Sequence, residues 1–400
     1  MDSKYGGLSD YKQFLLSNFY KNNIKKNIYV FGGNDNRYRV RMLCKHIESL
    51  YNQKVPTVVF YQESSSSEKE VTQSILYLKN KLKDQRNRIL LVDRQYPFYH
   101  PLLGISKDNL VNVIDPDDTL LRDEIAYLDA VITLMEVENV PIKLHSLSTY
   151  IEYDLKTLIE KCDYHLKQRR NDYIKDDILE IKKIFEEEQV TGLSSSMIKK
   201  KLNELNFPIV DLKNRQCHCS LTNAMRNNQI ICINLAGNTE KMMRYFQAEM
   251  NADALDYQII LFDVNCSLCE EFQKKVVNED KLSIYSSNFN HDFSDDYQQS
   301  ILGKDNVTLL FKMQAGNASS IVDYYGQHDI TYHLRDKGET YRVFDLLHLG
   351  PRHTGYHEHQ ETVNRLSGEH VSRLENNFEC FEVEDNVIIY HTNVCYDNLL

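Results

Sequence analysis

The chain has 400 residues, of which 42% are hydrophobic and 26% charged, and its formal net charge is −11. This length suffices for one large or two ordinary domains with a substantial core. The negative charge argues against a general nucleic-acid coat protein, although a local basic channel stays open. No apolar run reaches the roughly 18–20 residues that a membrane-spanning helix needs. The N-terminus lacks the apolar segment of a signal peptide, so we expect a cytoplasmic protein.

Helix and strand patterns alternate in the first part of the chain, residues 1–118. The predicted helices there cover residues 10–20, 39–52 and 68–84, and the predicted strands cover 27–31, 55–61 and 88–93. Residues 119–206 have helical spacing and few strand signals, which predicts a helical insertion. In residues 207–400 strands return at 229–235, 258–263, 281–288 and 306–313, with a helix at 316–326. The pattern predicts an α/β fold: a mainly parallel sheet covered on both faces, with an inserted helical subdomain.

The stretch FGGNDNRYRV, residues 31–40, lies between a predicted strand and a predicted helix, as a phosphate-binding loop does. In the P-loop pattern G-x-x-x-x-G-K-[ST], backbone N–H groups wrap phosphate, the lysine reaches the terminal phosphates and the hydroxyl binds magnesium. With Gly32 in first place, Arg37 stands at the second glycine, Tyr38 at the lysine and Arg39 at the hydroxyl. Three of the four defining positions therefore differ. The motif alone leaves open an ordinary strand-to-helix turn and a remnant nucleotide site.

Two later strands carry polar residues that a P-loop ATPase would also need. IILFDVN ends its apolar run at Asp263, where such an enzyme holds magnesium, but Val264 stands at the usual water-activating glutamate. LSIYSSNFN resembles the next core strand, with Asn288 at the γ-phosphate sensor position. The order and spacing of these segments are more specific than any one of them.

In the order of these segments the chain resembles the FtsK/HerA superfamily of P-loop motors, particularly the conjugative coupling and TraG-like ATPases. The resemblance runs from IYVFGGNDNRYRVRMLCKH through the helical insertion, IICINLAG, QIILFDVN and LSIYSSNFN to the C-terminal strands, roughly residues 27–395. It implies a RecA-like fold, ring-forming ancestry, translocation of DNA or protein, and ATP with Mg²⁺ as the cofactors of an active member. The residues at the nucleotide motifs are Gly32, Gly33, Arg37, Tyr38, Arg39, Asp263 and Asn288.

Three functional hypotheses follow. The first is a pseudo-ATPase that acts structurally in a DNA or protein translocation, packaging or secretion assembly, because the lysine, hydroxyl and glutamate are replaced. The second is an active ATP-driven translocase in which Arg37 or Arg39 replaces the lysine charge. The third is a nucleotide-independent adaptor whose helical insertion binds a protein partner.

The resemblance also implies assembly into a homo-oligomer, or a hetero-oligomer with a related ATPase. Arg352 and Arg365 are candidates for arginines that act on a neighbour's nucleotide, with ordinary surface arginines as the alternative. DNA is a further candidate partner, since arginines and an aromatic ring alternate in residues 37–41.

No metal site is predicted. The groups considered are Cys266 with Cys269, Cys217-His218-Cys219, the histidines His353, His357 and His359 with Glu358, and Asp115, Asp117 and Asp118. We expect reduced thiols in both cysteine groups, an exposed loop for the histidines and a helix-capping turn for the aspartates. Zinc or magnesium is the alternative in each case.

Overall fold

The structure of the protein is a computed structural model. It describes residues 14–396 except 34, 64–69, 85–86, 169–172, 192–193, 212–218, 326–365, 367, 376–377, 385–386 and 392–393. The strands are β1 (Phe14–Leu15), β2 (Asn27–Phe31), β3 (Thr57–Tyr61), β4 (Ile89–Val92), β5 (Ile230–Asn234), β6 (Gln258–Phe262), β7 (Leu282–Ser286), β8 (Asn306–Leu310), β9 (Cys380–Glu384), β10 (Val387–His391) and β11 (Val394–Cys395).

The helices fall into three runs along the chain. The first run is α1 (Leu16–Asn22), α2 (Asn36–Gln53), α3 (Glu70–Lys81) and α4 (Lys107–Ile114). The second is α5 (Arg122–Val137), α6 (Leu144–Glu152), α7 (Leu155–Leu166), α8 (Lys175–Thr191) and α9 (Ser194–Glu204). The third is α10 (Leu221–Arg226), α11 (Thr239–Ala252), α12 (Glu270–Asn278), α13 (Phe289–Asp292), α14 (Asp295–Leu302), α15 (Ser319–Tyr325) and α16 (Gly368–Ser372).

Nine strands form the central sheet in the order β10-β9-β8-β2-β7-β6-β3-β5-β4. The seven strands from β8 to β4 are parallel, while β9 and β10 add an antiparallel edge. Every residue of β2, β3, β5, β6, β7 and β8 is buried, because helices cover both faces. The prediction of an α/β fold with a mainly parallel sheet is confirmed.

The two faces of the sheet contact different helices. Tyr29 and Phe31 of β2 belong to the core that includes α11, α12 and the second helical run. Ile28 and Val30, which point the other way, pack with α1, α2 and α3. The strand that precedes the glycine turn therefore lies in the middle of the molecule, with β7 on one side and β8 on the other.

The segment from α5 to α9 is helical, and its side chains continue the core on one face of the sheet. Tyr127 of α5 and Phe185 of α8 lie 5.8 Å apart between ring centroids. Lys201 of α9 reaches back to the buried Asp115 at the end of α4, at 2.6 Å. The segment's autonomy as a subdomain and the boundaries at 118/119 and 206/207 stay predictions. No helix among the described residues is long and apolar enough to cross a lipid bilayer.

A fully buried carboxyl, Glu249 of α11, holds the loop before α4 and the start of α10 together. The Tyr99 hydroxyl donates to it, and the Thr222 N–H and hydroxyl donate at 3.3 and 3.2 Å. Burial raises the pKa of Glu249. If Glu249 were removed, each of these buried donors would lose its acceptor, which is costly. The network therefore stabilises the fold.

Replacing Glu249 with Ala should therefore lower the free energy of unfolding by about 3 kcal/mol, since several buried donors lose their acceptor. Urea unfolding followed by circular dichroism measures the change. The matched control is Glu240→Ala on the same helix, which removes only an exposed i,i+4 pair with Arg244 at 3.2 Å. Equal urea midpoints for the two variants would contradict this role of Glu249.

Candidate functional site

A cleft of about 710 Å³ opens at the carboxyl ends of β2, β3, β6 and β7. In open α/β sheets ligands bind at this edge, where neighbouring strands connect in opposite directions. The cleft is lined by Asn36, Arg39, Gln62, Glu63, Glu70, Val71, Phe262, Asp263, Asn265, Ser287, Asn288, His291 and Asp292.

The glycine turn closes tightly against the end of β8. Gly32 and Gly33 have φ of 83° and 87°, the left-handed region that favours glycine. A Cβ added to Gly32 would lie 2.7 Å from the Phe311 carbonyl oxygen, so the close approach itself requires glycine. The N–H of Gly32 donates to the Ser286 carbonyl and that of Gly33 to the Lys312 carbonyl, each at 3.0 Å. These two donors are therefore committed to the protein, whereas a phosphate loop turns such groups toward its ligand.

Arg39 fills the space enclosed by the turn. Its side chain is buried, and its guanidinium donates to the carboxylate of Asp263 at 2.7 Å. The same group donates to the Gly33 carbonyl at 2.5 Å and to the Asn36 side-chain oxygen at 3.2 Å. A cation thus binds directly to the carboxylate that a P-loop enzyme would use for magnesium.

Asp263 connects this cation to the next strand. Its second carboxylate oxygen accepts from the Ser287 N–H at 2.9 Å, just after β7. Asp263 itself has φ of 47°, a left-handed conformation that Asp adopts more readily than most residues. Both oxygens of the carboxylate therefore have protein donors, which orient the ends of β6 and β7.

The neighbouring residues of the motif do not line the cleft. Arg37 is exposed and pairs with Asp35 at 3.3 Å, and this partner raises the pKa of Arg37. Tyr38 turns to the other side of α2, where its ring lies 4.8 Å from that of Tyr396 and 6.0 Å from that of Phe378. The residue at the lysine position consequently contributes to packing against the C-terminal segment.

Asp292, a residue that the sequence did not indicate, lies beside the ion pair. The Ser286 hydroxyl donates to its carboxylate at 2.6 Å, and His291 Nδ1 lies 3.5 Å from its other oxygen. Burial, followed by the negative charge of Asp263, raises the pKa of Asp292 to about 6. The pair of carboxyls places excess negative charge at the β6 and β7 ends above this pH.

The opposite wall of the cleft is also acidic. Glu63 is buried, and its carboxylate accepts from the N–H groups of Val71 and Thr72 at 2.9 and 3.3 Å, which caps α3. Glu70 accepts from the Asn36 amide at 3.2 Å. With Arg39 as the single Lys or Arg among the lining residues that the structure describes, the cleft disfavours a polyanion such as a nucleoside triphosphate.

The structure thus brings Arg39, Asp263 and Asn288 together in the cleft, with Gly32 and Gly33 at the Arg39 guanidinium, and leaves Arg37 and Tyr38 outside. The site residues that sequence reasoning missed are Asn36, Glu63, Glu70, Ser286, His291 and Asp292. The sequence signal for the last three is the mostly polar run SSNFNHD, which begins at the last residue of β7 and of which we used Asn288 alone.

The candidate metal groups fall differently. Cys266 and Cys269 are buried thiols, and burial raises the pKa of both. Asp115 follows α4 and accepts from Lys201 and from the Leu120 N–H, instead of capping α5. Several residues of these groups lie outside the described ranges: Cys217, His218, His353, His357, Glu358 and His359. Arg352 and Arg365 also lie outside them. Within the described ranges no three His, Cys, Asp or Glu side chains are grouped to hold a metal ion.

Solved structures that resemble the chain cover nearly all of it at very low identity. The bacterial conjugative coupling protein TrwBΔN70 has 9% identity and a TM-score of 0.45, over 99% of this chain and 97% of that one. TrwB in complex with ADP and Mg²⁺ has 9% identity and a TM-score of 0.45, over 97% and 90%. VirB4 of Thermoanaerobacter pseudethanolicus has 9% identity and a TM-score of 0.43, over 94% and 91%. The α/β fold is defined by the strand order of the sheet itself. No protein-family model matches the chain, and no curated protein matches its sequence.

The raised pKa of Asp292 makes a stability difference that depends on pH. An unfolded Asp titrates near 3.9, so the folded protein holds this proton more tightly, and the stabilisation is full below that pH and is lost as pH rises through about 6. We compare the unfolding free energy of the unmodified protein with that of Asp292→Asn at each pH. From pH 4.5 to pH 8 this difference should change by about 2 kcal/mol to the disadvantage of the unmodified protein. Urea unfolding at the two pH values measures this difference.

The control for this experiment is Asp296→Asn, which removes an exposed carboxyl from the adjacent helix α14. Its stability should follow that of the unmodified protein across the pH range. A free-energy gap for Asp292→Asn that is the same at both pH values would show that the carboxyl does not titrate in this window.

Proposed function

We propose that this protein is a pseudo-ATPase of the P-loop motor class, acting structurally in a DNA or protein translocation, packaging or secretion assembly. The observation that carries the proposal is the Arg39 guanidinium bound to Asp263 within the glycine turn. It supports loss of nucleotide chemistry because the cation lies at the carboxylate that magnesium would need. The assembly role rests on the resemblance of the segment order to translocating motors.

Two further features support loss of hydrolysis. The residue at the lysine position, Tyr38, packs against Tyr396, so no flexible cation stands there to reach a terminal phosphate. Val264 is buried at the position of the water-activating glutamate and has no base to offer. The active-translocase alternative needs Arg37 or Arg39 to take the lysine's role, but each is paired with an aspartate.

Calorimetric titration and a phosphate-release assay test the proposal. We expect no binding heat for ATP with Mg²⁺ and no turnover of ATP or GTP above the blank. The variant Tyr38→Lys/Arg39→Ser, which removes the guanidinium and restores the lysine and the hydroxyl of the motif, should gain weak binding of MgATP. Adding Asp263→Asn should abolish that gain, because the metal would lose its carboxylate.

The matched control is Arg37→Ser, which removes a neighbouring arginine that is exposed and lies outside the cleft. It should remain silent in both assays. A steady turnover in the unmodified protein that disappears in Asp263→Ala would overturn the pseudo-ATPase proposal and favour the active translocase.

Assembly with a catalytically intact relative is the second part of the proposal. Mass photometry of the mixture should show a species larger than the 47.0 kDa chain. If Arg352 and Arg365 act on the neighbour's nucleotide, reversing their charge should lower the relative's turnover without dissociating the complex. Unchanged turnover in an intact complex would show that neither arginine acts on the neighbour's nucleotide. DNA as a partner and a cytoplasmic location stay predictions from the sequence.

A further inference from the structure

Helices α5 and α8 border a groove of about 660 Å³ on the helical segment, and none of its lining residues lines the cleft. We call it the acidic groove. It is lined by Lys107, Asp129, Ala130, Thr133, Glu136, Val137, Asn139, Tyr173, Ile174, Asp177, Glu180, Ile181 and Ile184.

The floor of the acidic groove is apolar. Ile181 and Ala130 are buried beneath it, while Val137, Ile174 and Ile184 remain partly accessible. Tyr173 stands at the groove with 85% of its surface exposed, an unusual position for a large aromatic side chain. Such a strip of apolar surface between two helices offers the contacts that a third helix would bury.

The rim of the acidic groove carries four carboxylates and one amine. Lys107 lies at one end, 3.6 Å from Asp129 and 3.9 Å from Glu136, so these charges are partly balanced. Asp177 and Glu180 on α8 are exposed and have no ion-pair partner among the described residues. The net negative charge of the rim therefore lies mainly along α8.

We propose that the acidic groove binds a basic amphipathic helix of a partner protein. An apolar face with anchors at i, i+3 or i+4 and i+7 would pack on the isoleucine floor, and lysines or arginines would pair with Asp177 and Glu180. The α5 side of the lining runs from Asp129 to Val137, about 12 Å at the helical rise, which accommodates roughly two turns of a partner helix. A second copy of this chain would bring mostly like charge, since its net charge is −11.

The proposal does not depend on whether the cleft binds nucleotide, and its test uses the full chain. The probe is a fluorescein-labelled peptide of about 15 residues, built of leucine and lysine with leucine at helical spacing. Fluorescence anisotropy at near-physiological salt should show saturable binding. Asp177→Lys/Glu180→Lys should weaken it about tenfold, because two attractive contacts become repulsive.

The matched control is Asp176→Lys/Glu187→Lys, which changes the net charge by the same amount on the same helix at exposed positions outside the groove. It should alter the affinity less than about twofold, since neither side chain lines the groove and solvent screens charges that do not contact the peptide. Equal weakening by both double variants would mean general attraction of a cationic peptide to an acidic protein, and would overturn the proposal.

Two further peptides separate the apolar contribution from the ionic one. A scrambled peptide of the same composition, without an apolar face, should bind at least about tenfold more weakly. A leucine–glutamate peptide of the same pattern should not bind detectably. Equal binding of the scrambled peptide would overturn the proposal. The proposal would also be overturned if the chain alone formed a dimer that the Asp177→Lys/Glu180→Lys variant does not form, because a second copy would then occupy the groove.

Discussion

A buried guanidinium needs acceptors on several sides, and Arg39 finds them in three different parts of the chain. The carbonyl of Gly33 belongs to the turn after β2, Asn36 to the first turn of α2, and Asp263 to the end of β6. Because Asp263 also accepts from the Ser287 N–H, the same carboxylate holds the end of β7 next to the end of β6. Removing either member of such a pair leaves the other charge without its partner, so the pair helps to hold the ends of β2, β6 and β7 in place.

The arrangement pairs the polar groups at this edge of the sheet with one another, so they do not face an incoming ligand. In a phosphate loop the backbone N–H groups and a metal meet an incoming anion. Here the glycine N–H groups donate to backbone carbonyls of neighbouring segments, and the cation is the guanidinium of Arg39. A bound polyanion would have to break these contacts and enter an acidic surrounding, which would make its binding unfavourable.

Much of this fold can be predicted from the sequence because its central strands are buried on both faces. The apolar runs at 229–235 and 258–263 correspond closely to β5 (Ile230–Asn234) and β6 (Gln258–Phe262). The direction of individual side chains is harder, since α2 begins at Asn36 and successive helical residues point about 100° apart. That rotation points Tyr38 toward the C-terminal segment and Arg39 into the cleft. A motif alignment gives the order of the residues and not the direction of their side chains. Asp292 reaches the site only because α13 folds back after β7, a tertiary feature without a local pattern.

The smaller sheet has a consequence for how the chain folds. Its two strands, β1 and β11, pair Phe14 with Val394, which are 380 residues apart in sequence. Contacts of such separation carry a large loop-closure cost and form late. During synthesis at roughly 5–20 residues per second, about 20–80 s pass between the two strands. For that time the ring of Tyr38 lacks Tyr396, its neighbour at 4.8 Å, so the helix that carries Arg39 acquires this contact only after residue 396 has been synthesised.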